Sequence, residues 1–244
     1  ISYPYEWSFT QLKDAALLTL DIQKQSLQRG MSLKDASAFN IGFNKGKPIF
    51  IDTLSFEKYS EGKPWIAYKQ FCQHFLAPLS LMSLNDVRLA GLLKNYIDGI
   101  PLDLTSSLLS FRSYFKFGLL AHIHLHAKSQ KKHNSVDSAK KIININIPQQ
   151  RLIALIDNLE STIKSLNWKP GGTEWDSYYY DNNNYSSESM LEKEMIVKSF
   201  LAKILPSTVW DLGANDGHFS RLAAKYSDNV VAWDIDPSCV ERNY

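Results

Sequence analysis

Thr208-Val209-Trp210-Asp211-Leu212-Gly213-Ala214-Asn215-Asp216-Gly217-His218-Phe219-Ser220 is the stretch whose reading decides the fold. Thr208 to Leu212 is a short apolar run of strand length, and the glycine-bounded Gly213 to Gly217 predicts a turn. Phe219, Leu222, Ala223 and Tyr226 then recur at the i, i+3, i+4, i+7 spacing of one helix face. Ser227-Asp228-Asn229 predicts a second turn, and Val230-Val231-Ala232-Trp233 a second buried strand that ends at Asp234. Asp236-Pro237 can cap and begin a further helix, because a helix's first position needs no N–H. Strand, turn, helix and strand in this order predict a parallel βαβ unit.

The residue types suggest a ligand at the strand ends. A ligand lying there needs close approach of the backbone, which a Cβ at Gly213 or Gly217 would obstruct. An acid about 20 residues on can accept hydrogen bonds from both ribose hydroxyls. Asp234 closes its strand 23 positions after Asp211 and fits that role. A G-x-G-x-x-G dinucleotide pattern is absent, because Asn215 and His218 stand where it needs glycine. The turn therefore suits a ligand without a pyrophosphate.

Val209 to Ser220 resembles motif I of class I S-adenosylmethionine (SAM)-dependent methyltransferases, and Val231-Ala232-Trp233-Asp234-Ile235-Asp236 resembles their ribose-binding strand end. The resemblance implies a Rossmann-like domain, SAM as cofactor, and transfer of its methyl group to an acceptor that the residues do not name. By position it implies that Gly213, Ala214, Asn215, Asp216 and Gly217 contact the methionine moiety, with Asp211 near its amino group. Asp234 would hold the ribose, Ile235 would lie against the adenine, and Phe219 belongs to the same cofactor-binding set. Asp211 read without the resemblance is a strand-end acid satisfied by backbone amides, and Asp236 is a helix cap. No catalytic base is identified. A longer pattern, Ser2-Tyr3-Pro4-Tyr5-Glu6-Trp7, Asp52-Thr53-Leu54-Ser55-Phe56-Glu57 and Trp65-Ile66-Ala67-Tyr68-Lys69-Gln70-Phe71, resembles nodulation-related methyltransferases over most of the chain.

Upstream of this unit, helical periodicity dominates. Ser8-Phe9-Thr10-Gln11 reads as a capping box opening a helix, with Leu12, Ala15, Ala16, Leu20 and Leu27 on one face and Gly30 closing it. Ile41-Gly42-Phe43 and Ile49-Phe50-Ile51 flank Asn44-Lys45-Gly46-Lys47 as a short hairpin. Helices are expected over Trp65 to Leu76, Leu84 to Ile97 and Phe111 to Ala127, and from Pro148 onward with Leu152, Leu155, Ile156, Leu159 and Ile163 on one face. Lys128 to Lys141 is a basic, solvated loop rather than a nucleic-acid patch. His122 and His126 stand at i, i+4 without the Glu of a zinc motif, so they read as helix-face or inter-helix groups and no metal site is expected.

Lys169-Pro170-Gly171-Gly172 marks the expected boundary between a domain over 1–168 and one over 169–244. The stretch Trp175 to Tyr185 is too polar for core; Tyr178, Tyr179, Tyr180 and Tyr185 fit either a lid over the cofactor or an ordinary loop. Met190 to Leu205 is expected as a helix with Leu191, Met195, Ile196, Phe200 and Ile204 facing inward. The expected fold class is α+β: a mostly helical domain with a small β-hairpin, then the front of a Rossmann-like α/β domain.

Asp35 and Asn40 have the D-x4-N spacing of a kinase catalytic loop, and Asp52 follows the strand Pro48 to Ile51 where kinases place a metal-binding Asp. This trio resembles the C-lobe core of aminoglycoside-phosphotransferase-like kinases. No His-Arg or His-Gly precedes Asp35, Thr53-Leu54 replaces Phe-Gly, and no nucleotide-binding lobe or its lysine is visible. A phosphotransferase or ATP-binding relic is thus the rival enzyme reading. The non-enzyme reading makes residues 1–168 a module that binds a substrate or partner.

Composition adds bounds. The 244 residues are 44% hydrophobic and 21% charged with a net charge of +2, which is ordinary globular composition without a pull towards nucleic acid or anionic membrane. Cys72 and Cys239 are isolated thiols, which suit a reducing cytoplasm. No run reaches the about 18 apolar residues of a membrane span. The chain begins with Ile1 and holds only two strand candidates of a larger sheet, so it reads as a fragment. Such a piece is expected to dock its helices over the sheet or to associate with another copy. It is also expected to leave the cofactor pocket open, and to bind SAM weakly without methyl transfer.

Overall fold

The capping box at Ser8 starts the first helix, Phe9–Gln28: Ser8 Oγ accepts from Gln11 N and Gln11 Oε1 accepts from Ser8 N. Two otherwise orphan donors are satisfied by this exchange. Leu12, Ala15, Ala16, Leu20 and Leu27 are buried on one face, and the chain leaves through Gly30 at φ +70. That face packs on the helix Gln149–Ser165, which buries Leu152, Ile156, Leu159 and Ile163. Lys24 bridges the pair to Asp157 and Glu160. Lys13 Nζ donates to the carbonyls of Lys164 and Leu166, at 3.1 and 2.7 Å, at the far end of the second helix. A cation there meets the negative pole of the helix.

The computed structural model describes residues 2–133, 146–173, 175 and 186–244. Within them the chain is mixed α/β, mostly helical, with small two-stranded sheets. It divides into two compact units, Ile1–Trp168 and Lys169–Tyr244. In the first, β1 (Met31–Leu33), β2 (Ile41–Asn44), β3 (Lys47–Phe50) and β4 (Phe56–Lys58) form two antiparallel pairs, β1 with β4 and β2 with β3. The hairpin β2–β3 turns on Lys45 and Gly46, both at positive φ (50 and 73), as a two-residue hairpin turn requires. The pair β1–β4, bracketing that hairpin, was not legible as strands because each is three residues long.

Three expected helices come out differently. Instead of Trp65 to Leu76, a helix begins at Tyr68, widens into a π turn over Cys72–Leu76 and continues over Ala77–Leu84. Pro78 has no N–H to give the turn before it, and a widened turn accommodates that. Leu84 to Ile97 is broken because the Asp86 carboxylate accepts from Arg88 N and starts a separate turn, Val87–Gly91, before the short helix Leu92–Asn95. Phe111–Phe115 is a 3-10 turn, Lys116 is extended, and the helical run then passes from Phe117–Leu119 through a π segment, Leu120–Leu125, into His126–His133. This last helix takes up Lys128, Lys131, Lys132 and His133 of the expected basic loop; Lys140 and Lys141 lie outside the described residues.

In the second unit β5 (Thr208–Leu212) and β6 (Asn229–Trp233) pair in parallel, joined through the helix His218–Ala223. Asp236 caps the helix Pro237–Asn243 by accepting from Ser238 N at 2.8 Å. Ser186 caps Ser187–Ile204 in the same way. The inward face expected for that helix is corrected: Leu191, Met195, Ile196, Phe200 and Ile204 are 49–67% exposed. Spacing selects one helix face, but burial needs a surface to cover it, and a two-stranded sheet supplies little. Trp210, Leu212, Val231 and Trp233 are likewise exposed on alternate sheet positions.

Candidate functional site

Parallel register sets Leu212 beside Trp233 at the carboxyl ends of β5 and β6. Gly213 N and Ala214 N both donate to Trp233 O, at 2.8 and 2.9 Å, so the turn after β5 is drawn onto the end of β6. The turn needs left-handed backbone at Gly213 (φ 80), Asn215 (φ 52) and Gly217 (φ 83). Glycine adopts this at no steric cost, and asparagine is among the few other residues that tolerate it. A Cβ on Gly217 would lie 1.8 Å from Asn243 Oδ1, whereas one on Gly213 would meet nothing within 4 Å.

Asp234 fastens the two strand ends together. Its Oδ2 accepts from Asn215 N at 2.7 Å and its Oδ1 from Asp236 N at 2.8 Å. A cleft of about 650 Å³ opens here, lined by Trp175, Leu212, Gly213, Asn215, Trp233, Asp234 and Ile235. Among the described residues its lining carries the carboxylate of Asp234 and no cation.

Of the residues expected to bind cofactor, Gly213, Asn215, Asp234 and Ile235 thus line one cleft, and Ile235 is 92% exposed. The others belong to β5 and to the adjoining turn and helix. The Asp211 carboxylate accepts from Ser220 Oγ at 2.6 Å, a side-chain hydroxyl rather than the backbone amides expected of a strand-end acid. Ala214 is buried. Asp216 accepts from His218 N, Gly217 precedes the helix His218–Ala223, and Lys193 Nζ sits 4.8 Å from the centre of the Phe219 ring. Trp175, Leu212 and Trp233 were missed. Leu212 and Trp233 read simply as strand residues, and the signal at Trp175 was a single large apolar ring in a polar stretch. Tyr178, Tyr179, Tyr180 and Tyr185 lie outside the described residues. Cys239 is buried, and burial together with the charges of Asp236 and Asp234 pushes its thiol up to about 12. It is therefore a neutral donor to Trp175 O rather than a nucleophile.

In the first unit, Asn40 and Asp52 meet at Ser55: Asn40 Nδ2 donates to Ser55 Oγ at 3.0 Å, and Ser55 Oγ donates to Asp52 Oδ2 at 2.6 Å. The hydroxyl of Ser55, the amide of Leu54 and the charge of Lys34 hold the Asp52 carboxyl below its usual range. Lys34 N donates to Ser55 O, which brings the backbone before Asp35 to the same place, but the Asp35 carboxylate accepts from Ser37 N in its own loop. Among the described residues no group of three His, Cys, Asp or Glu comes together for a metal. His122 is held between Tyr68 Oη and Asn158 Oδ1, His124 between Ser106 and Ser113, and the His126 ring stacks on Tyr68 with centroids 5.2 Å apart. No described helix is long and apolar enough to cross a membrane.

The chain is 36% identical over 248 aligned positions, its whole length, to the Nodulation protein NoeA of Rhizobium meliloti (strain 1021), and it spans 52% of that protein's length. No family model and no solved structure matches the chain.

Proposed function

We propose that the second unit is the SAM-binding front of a Rossmann-like, SAM-dependent methyltransferase domain, and that the whole protein methylates an acceptor in a nodulation-related role. One observation carries this reading: a carboxylate at the end of the second parallel strand and a glycine turn after the first line the same cleft. Three features of the cleft fit SAM. Each oxygen of Asp234 accepts one backbone N–H, and a carboxylate oxygen has room for a second donor, so both ribose hydroxyls can be held. The volume of about 650 Å³ falls in the range of small-molecule sites. The Asp234 carboxylate on the wall, with no cation among the described lining residues, favours a sulfonium ligand over one bearing a pyrophosphate.

SAM would supply an electrophilic methyl group. The part left to this chain is positioning, which alone contributes much of the rate of a transfer between two bound reactants. Asp234 fixes the ribose, Gly213 leaves space beside the turn, and Ile235 and Trp233 offer apolar surface to the base. The likeness to a protein named for nodulation supports the biological context, and the acceptor is not specified by any residue of the cleft. The test is thermal unfolding of the full-length protein with S-adenosylhomocysteine and, separately, NAD. S-adenosylhomocysteine should raise the midpoint and NAD should not; the opposite order would replace this reading with a dinucleotide site.

A second reading concerns the first unit. The meeting of Asn40 and Asp52 at Ser55, with the hairpin β2–β3 between them, supports descent from a kinase-like C-lobe. Its acids are engaged in local hydrogen bonds, which favours a relic that binds a substrate or partner over a working phosphotransferase.

A further inference from the structure

Trp175 lines the cleft, yet neither the βαβ pattern nor any strand-end motif accounts for it. Its backbone is fastened at both ends. Trp175 N donates to Asp236 Oδ2 at 3.1 Å, and Trp175 O accepts from Asn215 Nδ2 at 2.8 Å and from Cys239 Sγ at 3.4 Å. Asp236 N and Asn215 N in turn donate to the two oxygens of Asp234. Trp175, Asp236, Asp234 and Asn215 therefore form a closed ring of hydrogen bonds, and three of its four members line the cleft.

Asp236 does more than a helix cap needs. A cap requires one acceptor oxygen and can stand in water. Asp236 is only 4% exposed and uses both oxygens, Oδ1 for Ser238 N and Oδ2 for Trp175 N. Burying a carboxylate is costly unless hydrogen bonds compensate it. Its second bond does nothing for its own helix and serves to hold Trp175. Trp175 meanwhile is 42% exposed, with Trp233 at 40% and Ile235 at 92% on the same cleft. A fixed backbone that places a partly exposed indole on the cleft wall is the arrangement of a preorganised stacking surface.

We propose that Trp175 is a ligand-binding residue of this cleft, its indole stacking on the aromatic base of the ligand, and that Asp236 is the positioning residue that holds it there. The proposal rests on the reading of the cleft as a SAM site and extends it to a residue outside the strand-end motifs. Stacking on a base is sequence-tolerant, depends on apolar area, and is lost with the ring.

Calorimetry on the full-length protein tests it, with S-adenosylhomocysteine and adenosine as the probes. Trp175→Ala should weaken both about tenfold or more, and Trp175→Phe should recover most of the loss. Asp236→Asn keeps one acceptor oxygen of the two; it should weaken binding in the native background and add nothing once Trp175 is already alanine. Unchanged affinity in Trp175→Ala overturns the proposal. Loss of S-adenosylhomocysteine binding with adenosine unaffected overturns the contact with the base. An Asp236→Asn defect that persists at full size in the Trp175→Ala background overturns the positioning role. If Asp236→Asn does not fold, the comparison of Ala with Phe at Trp175 still decides the stacking claim. Wild-type protein that binds neither probe refutes the SAM reading itself, a result no Trp175 variant produces.

Discussion

Replacing Asp234 should damage the fold of the second unit before any ligand is added. The two oxygens of Asp234 hold two backbone amides, Asn215 N at 2.7 Å and Asp236 N at 2.8 Å. Those amides anchor the turn after β5 and the start of the helix Pro237–Asn243. In Asp234→Ala both donors lose their acceptor, and a hydrogen bond to a charged group contributes about 1.5–3 kcal/mol. Asp234 is half-buried, so water replaces part of what is lost, and the expected net cost is about 2 kcal/mol for the pair. Asp234→Asn keeps one acceptor oxygen and should cost roughly half as much. Amide hydrogen exchange reads this directly: protection at Asn215 and Asp236 should fall in Asp234→Ala and fall less in Asp234→Asn, with no ligand present. Unaltered protection at both amides in Asp234→Ala would refute the account of how the strand ends are joined. Ligand affinities measured on Asp234→Ala alone therefore mix two effects, and Asp234→Asn is the cleaner variant.

Gly118→Ala should destabilise the first unit by about 2 kcal/mol, because the new Cβ would lie 1.9 Å from Thr162 Oγ1 and 2.8 Å from Thr162 Cβ. Thermal unfolding should show a midpoint lower by roughly 4–8 °C, with partial recovery on adding Thr162→Ala; a wild-type midpoint in Gly118→Ala would remove this close approach. Stability of the first unit should also fall in mild acid. Burial pushes the His74 imidazole down to about 4 against the opposing charges of Asp35 and Asp98, and burial also lowers His122, His124 and His126. The unfolded chain therefore takes up these protons first. The contribution of His74 is complete above about pH 6.5, its unfolded value, and declines as pH falls towards 4, by about 2 kcal/mol at pH 5. Urea midpoints should drop between pH 7 and pH 5, and less steeply in His74→Phe; a flat profile above pH 5 would contradict this.

Periodicity was informative where one local rule governs the outcome. Ser8 and Gln11 marked a helix start, Asn44-Lys45-Gly46-Lys47 the hairpin connection, and Asp236-Pro237 a cap, because each rests on bonds between neighbours. Long-range requirements were not legible. Leu191 to Ile204 has the spacing of a buried face, yet it is exposed, since spacing does not say whether a covering surface exists. The run from Tyr68 to Leu84 hid a π turn whose position follows from Pro78 and from packing on both sides. At the cleft, Gly213 and Asp234 stood out because glycine turns and strand-end acids carry a local signature. Trp175 did not, because its place depends on Asn215 and Asp236, residues far along the chain.

The central claim, that the cleft at the ends of β5 and β6 binds SAM, is tested most directly by titrating full-length wild-type protein and Gly213→Val with S-adenosylhomocysteine in a calorimeter. Gly213 lies at φ 80 on the cleft wall with nothing within 4 Å of its missing Cβ, so valine there fills the ligand's space and strains the turn. Saturable binding to the wild type and none to Gly213→Val, with both proteins folded by circular dichroism, is the predicted result. No binding to the wild type, or equal affinity in the two proteins, would contradict it.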